Sequence, residues 1–283
     1  MIVISPAAKG QEPGAIRLRQ ALSFHASFDH GTDADVARGD QTLFNAPAIS
    51  NRESASRGLP SGNEVTLAPK AGRFGDCLRF SKSSGPMVFY KAEKNFPMPQ
   101  ANWTGTVSLW LSTDPAEDLQ EGFCDPLQLT SKQWDDAAMF VEFEKRASGI
   151  PFRLGVYADK AVWNPTGRKF EDIPAGERPL AAVQDPPFSE GKWTHVAFAI
   201  KHFNTGEPNG VATLYLDGKP AGEISSRTQT FTWDPDRTAI MLGLSYIGLM
   251  DDLALFDRAL TPEEITELLA LKGGVGTLTA KGK

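Results

Sequence analysis

The sequence predicts an all-β chain: a sandwich of two packed antiparallel sheets with one short helix near the C-terminal end. Three observations carry that expectation. Residues 193–200 (WTHVAFAI) and 211–217 (VATLYLD) alternate large and small side chains with the period of two that marks a strand. The 26 glycines and 20 prolines cut the chain into short segments joined by turns. Only TPEEITELLALK carries a full helix start, with Thr261 as N-cap, Pro262 in the first helical position and Glu264 completing a capping box. Leu260 and Ile265 can staple that start, and Ile265, Leu268, Leu269 and Lys272 share a face.

Taken in order, residues 1–20 are expected to be a flexible leader, rich in Pro, Gly and charge. The domain then runs from 21 to 271 and ends in a Gly-rich tail, 272–283. Its first strand is Ala21 to Phe28, followed by a loop holding Asp29, Asp33, Asp35 and Asp40. Residues 45–72 show little periodicity beyond a short strand at Glu64 to Leu67. Strands follow at Gly75–Phe80, Pro86–Tyr90, Trp103–Leu111, Gly122–Leu129, Ala137–Glu144 and Phe152–Tyr157. Trp110 and Trp193 lie in alternating strands and are expected in the core. Residues 158–190 read as a long loop, and turn-prone Trp163-Asn164-Pro165 places Trp163 exposed at one end of the sandwich. Asp217-Gly218 takes the positive φ angles of a tight hairpin, with Ala221 to Ile224 returning as the partner strand. Residues 240–250 form a further apolar run that Asp251-Asp252 ends abruptly, before a last strand at Leu253–Phe256.

A formal net charge of −6, with no Lys/Arg-rich run, excludes nucleic acid as a partner. No apolar stretch approaches the ~20 residues of a membrane span, so no membrane insertion is expected. MIVISPAAKG lacks the basic region and apolar core of a signal peptide, although Ser5-Pro6-Ala7 would serve as a cleavage site, and the compartment stays unassigned. Cys77 and Cys124 either pair or stay as two buried thiols. The histidines show no metal-ligand spacing, and His195 reads as structural.

Four spaced motifs occur in a fixed order: W-T-H-V at 193–196, Y-L-D-G at 215–218, G-L-M-D-D at 248–252 and R-A-L-T-P-E-E-I at 258–265. In this the chain resembles the laminin G-like domains of the concanavalin A-like lectin/glucanase superfamily. The resemblance implies a concanavalin A-like jelly roll and a non-catalytic binding or adhesion module for carbohydrate or a cell-surface protein, in a secreted or cell-surface setting. Glycoside hydrolases and polysaccharide lyases share the fold, which cannot by itself choose between them.

If the chain is an enzyme, Glu142 and Glu144 are its candidate carboxylates, two apart on one strand and so on one side of the sheet. Laminarinase-type hydrolases carry E-x-D-x-x-E there; here Ala147 replaces the third acid, which favours a solvent-facing polar stripe beside Lys145 and Arg146 and no catalysis. Candidate ligand residues are Trp134, Asp136, Trp163, Asn164 and Trp233, aromatic faces flanked by short polar groups suited to a sugar ring. Asp29 and Asp251 each end an apolar strand, and related jelly rolls pair the first strand beside one near the C-terminus. A structural Ca²⁺ is therefore expected between them, with Arg38 or Arg258 as the alternative counter-ion.

Overall fold

The structure is a computed structural model and describes residues 14–279. The first half holds α1 (Gly14–Ala21), β1 (Leu22–Ala26), β2 (Val36–Ala37), β3 (Phe44–Ala46), β4 (Ser56–Arg57), β5 (Val65–Ala68), β6 (Cys77–Phe80), β7 (Met87–Lys91), β8 (Trp103–Ser112) and β9 (Gly122–Thr130). Next come β10 (Ala138–Lys145), β11 (Phe152–Tyr157), α2 (Lys160–Trp163) and β12 (Leu180–Val183). The chain then forms β13 (Thr194–Phe203), β14 (Gly210–Leu216), β15 (Lys219–Arg227), β16 (Ala239–Leu244), β17 (Gly248–Phe256) and α3 (Pro262–Leu269).

The strands form two antiparallel sheets, as expected. The first has the order β15-β14-β13-β8-β17-β1-β2, with β6 also pairing β17 and β5 pairing β6. The second has the order β12-β11-β10-β9-β16-β7-β3-β4. Alternation sends Val107, Leu109 and Leu111 of β8 and Met139, Val141 and Phe143 of β10 into the shared core. Trp103 sits there against Phe96, Phe203, Phe231 and Trp233. Asp217 (φ 47°) and Gly218 (φ 76°) make the tight turn between β14 and β15. Cys77 and Cys124 are free and buried, on β6 and β9 of opposite sheets. Burial pushes their thiols up to about 12 and about 11.

Several expectations change. Residues 14–20, placed in the leader, belong to α1, which buries Leu18; residues 1–13 lie outside the described part. The tail is not a plain linker either, because residues 275–278 form a 3-10 turn that buries Val275 and Leu278. Together α1, α3 and that turn cover the outer face of the first sheet through Ile265, Leu268, Ala197, Tyr215, Ala254 and Phe256. The capping box at Thr261 is present, and Glu264 also takes two hydrogen bonds from Arg258, which holds its carboxyl at about 2.

Trp110 is buried on the outer side of its sheet, under Phe74 and the Arg73 guanidinium, not in the core. Trp193 precedes β13 and is half-buried. The break in the 240–250 run falls at 245–247, between β16 and β17, which lie in different sheets. Asp251-Asp252 therefore lies inside β17, at a bulge where its neighbour changes from β6 to β1. The 158–190 segment is not one loop: Leu180–Val183 pairs with β11 as an edge strand.

Candidate ligand-binding cleft

The outer face of the second sheet holds a cleft of about 730 Å³. Its floor follows from strand alternation. Residues that point away from the core on β9, β10 and β11 include Asp125, Gln128, Phe140, Glu142, Arg153 and Tyr157. Phe140 lies flat against Gly155, where a Cβ would approach its ring to 2.2 Å, and stacks on Tyr157 at 5.6 Å. That close approach is why β11 carries a glycine at this point.

One wall is aromatic. Trp134 (44% exposed) stands edge-on to Tyr157 at 5.7 Å and to Phe170 at 5.5 Å. Opposite it, Phe123 is 48% exposed, with the Arg146 and Arg153 guanidinium groups over its ring at 4.8 and 5.2 Å. Phe170, Glu171 and Arg178 reach the cleft from the 158–190 segment, which walls the site without crossing the sheet as a strand there.

The charges on the floor are organised by Arg153. Cross-strand register sets Arg153 directly opposite Glu142. Its Nε and Nη2 donate to Glu142 Oε1 at 3.0 and 2.5 Å, and its Nη1 donates to Glu144 Oε2. Glu142 is 5% exposed, so it is no solvent-facing stripe; a buried carboxylate needs such a partner. Burial pushes the Glu142 carboxyl up to about 7 despite Arg153. On β9, burial and the Glu142 charge push Asp125 well above the usual carboxylate range.

Of the residues expected to bind ligand, only Trp134 lines this cleft. Trp163 ends α2, half-buried behind Tyr157 at 4.9 Å, and its indole N–H donates to Asp135 O at 2.8 Å. It is thus neither in a loop nor fully exposed. Asp136 accepts from Lys160 N at 2.9 Å, and buried Asn164 closes a turn with the Arg168 backbone. Trp233 is buried elsewhere, packed on Trp103 with its N–H donating to Ala137 O at 2.6 Å. The sequence reading missed Asp125, Arg153 and Phe123. Alternation in FRLGVY sets Arg153 outward, but Phe123 and Asp125 share the parity of the core residues Leu127 and Leu129 and face out only because of a bulge in β9.

Asp29 and Asp251 do share one recess, with His25, Asp252 and Phe74. Asp251 Oδ2 accepts from Phe74 N at 3.0 Å, and Asp29 Oδ1 from Asp76 N at 2.7 Å. Burial, with Asp252 and Asp29 close by, pushes Asp251 up to about 7. Neither arginine expected as counter-ion is there: Arg38 binds Asp257 at 2.6 Å, and Arg258 binds Glu264. Among the described residues, no group of three or more His, Cys, Asp and Glu side chains is placed to hold a metal. No helix among them is long and apolar enough to cross a membrane.

The family model Laminin_G_3, described as concanavalin A-like lectin/glucanases superfamily, matches residues 91–266. Domain 4 of AbnA, a GH43 extracellular arabinanase from Geobacillus stearothermophilus solved in complex with arabinotriose, is similar at a TM-score of 0.53 and 18% identity, over 88% of this chain and 98% of that one. The binding domain of botulinum neurotoxin DC, in complex with SialylT, is similar at 0.55 and 11% identity, over 90% of this chain and 52% of that one. Trypanosoma rangeli sialidase is similar at 0.54 and 15% identity, over 91% of this chain and 34% of that one. The chain thus spans nearly all of the first, about half of the second and about a third of the third. At such identities the likeness is one of fold.

Proposed function

We propose that this chain, which belongs to the concanavalin A-like lectin/glucanases superfamily, is a non-catalytic carbohydrate-binding module whose ligand lies in the cleft of the second sheet. The observation that carries the reading is the pairing of an exposed indole, Trp134, with a floor whose carboxylates Glu142 and Glu144 are both held by Arg153. The apolar face of a pyranose or furanose stacks on such a ring, and fixed polar groups below it orient the hydroxyls. The arabinotriose and SialylT complexes of two fold neighbours support a sugar as the ligand, free or carried on a cell-surface protein. One observation favours glycoside hydrolysis as the second reading: the Glu142 carboxyl at about 7 suits a general acid.

Affinity electrophoresis against a panel of polysaccharides, with reducing-sugar assays on the same panel, separates the two. Retention without release of reducing ends is expected. Release by the wild type that disappears in Glu142→Gln would replace the module with a hydrolase.

A structural Ca²⁺ at Asp29 and Asp251 belongs to the same proposal. The two carboxylates face one recess. Burial, with Asp252 and Asp29 close by, pushes the Asp251 carboxyl up to about 7 there, and a cation would favour its charged form. Only two side chains contribute, so backbone carbonyls and water would complete the 6–8 oxygens that calcium takes.

A further inference from the structure

We propose that Asp125 and Glu142 hold one proton between them at neutral pH, and that the cleft presents this proton to its ligand as a hydrogen-bond donor. The proposal deepens the carbohydrate reading and rests on it for the identity of the ligand. Its basis is a bulge in the middle of the second sheet. Val141 pairs with Leu127 and Phe143 with Cys124, so two residues of β9, Asp125 and Pro126, stand opposite the single residue Glu142. Pro126 has no N–H to give to a ladder, and inside a sheet a proline is tolerated at such a bulge. The extra residue sets Asp125 beside Glu142, and both side chains line the floor of the same cleft.

Two adjacent carboxylates repel each other when both are ionised, and the one guanidinium beside them, Arg153, is already divided between Glu142 and Glu144. One of the two groups must be the acid. Asp125 is the better host, because Arg153 donates to Glu142 and stabilises its charged form. The other charged groups around the pair are accounted for. Glu144 on β10 is taken by Arg153 and Arg146, and Tyr157 on β11 is kept neutral by burial. Across the cleft, Glu171 and Arg178 belong to the wall, and Arg178 donates to the backbone of Ile173 and Glu171. Lys132 is committed to Asp159 at 2.7 Å and to Asp136 at 3.4 Å. Leu244 and Ser245, beside β9 on the other side, carry no titratable group.

The ligand class follows. A floor offering an O–H beside a guanidinium suits a sugar that presents acceptor oxygens, in a ring, a glycosidic link or a carboxylate. Once the shared proton leaves, the same floor carries two adjacent negative charges and repels those oxygens. Binding is therefore linked to one proton and weakens as pH rises past neutrality, about tenfold per pH unit beyond the midpoint.

The test has two arms. In ¹³C carboxyl NMR of the full chain without ligand, one carboxyl should stay protonated above pH 7 and its resonance should vanish in Asp125→Asn. Glu142→Gln should bring that titration down to lower pH. If every Asp and Glu carboxyl near the cleft titrates below pH 6, the shared proton does not exist. In affinity electrophoresis on whichever panel polysaccharide retains the protein, retention should fall between pH 6 and pH 9 in the wild type and stay level in Asp125→Asn. Equal retention at both pH values in the wild type would overturn the ligand role. Should no polysaccharide retain the protein at all, the carbohydrate reading fails by itself, and the NMR arm, which needs no ligand, still decides on the proton.

Discussion

The outer faces of the two sheets begin alike and end as opposites. Both come from alternating strands, and both carry buried polar side chains. On the first sheet α1, α3 and the 275–278 turn lie over the face, and several polar groups beneath are paired, although the Nδ1 atoms of His25 and His195 are buried without a hydrogen-bond partner. His25 Nε2 meets Asp252 Oδ1 at 2.7 Å, Asp252 also accepts from Val275 N at 3.0 Å, and His195 Nε2 meets Ser108 Oγ at 2.9 Å. Burial lowers His195 to about 4, so it is neutral there. On the second sheet only short segments stand around the face, and its polar groups converge on one open hollow. Strand pattern alone thus does not decide which face is a site. What covers the face decides it.

Ways of breaking this contrast run from large effects to small. Ile265→Ala should cost about 2–5 kcal/mol in urea unfolding, because it empties a packed position beneath the helical cover. The matched truncation on the open face, Trp134→Ala, should cost less than about 1 kcal/mol. Equal losses would mean that the two faces are equally packed.

Asp251 gives the next largest effect. Its native value of about 7 lies above the unfolded 3.8, so the folded state binds more protons in between. The stability this group contributes is fully present below pH 3.8 and is lost as pH rises through about 7. The loss is on the order of 4 kcal/mol. Asp251→Asn should flatten that part of the pH profile. At pH 8 added Ca²⁺ should raise the melting temperature and excess chelator should lower it, with no response in Asp251→Asn. A wild type indifferent to both would remove the calcium proposal. The remaining change is functional: Trp134→Ala should weaken glycan binding by about 1–3 kcal/mol. Unchanged retention in affinity electrophoresis would place the ligand on another surface.

These contrasts also mark what the sequence discloses. Period-two alternation located most strands within one or two residues, since a half-buried strand writes its burial directly into its side chains. The capping box and the Asp217-Gly218 turn were legible for the same reason, being local. The covering pieces were not. GAIRLRQA, with one fully buried leucine, reads as leader, and GVGTL reads as linker until Val275 finds the sheet. The cleft was half legible. Glu142, Glu144 and Trp134 stood out by residue type, whereas Arg153 and Asp125 acquire their roles only from cross-strand register and a bulge. The tryptophans misled because indoles beside acids occur both at a ligand face and at the edge of a core, and Trp233 is of the second kind.

The closed face has a practical corollary for display. Helix α1 and the 275–278 turn pack against each other, Leu18 and Val275 within one apolar cluster, so the two described ends meet on the outer side of the first sheet. The cleft opens on the opposite side of the sandwich. A probe attached at residue 14 or 279 would sit on the side of the sandwich away from the cleft. Attachment at residue 14 or 279 should leave ligand capture intact, whereas coupling through Lys132, which lines the cleft with Trp134, would obstruct it.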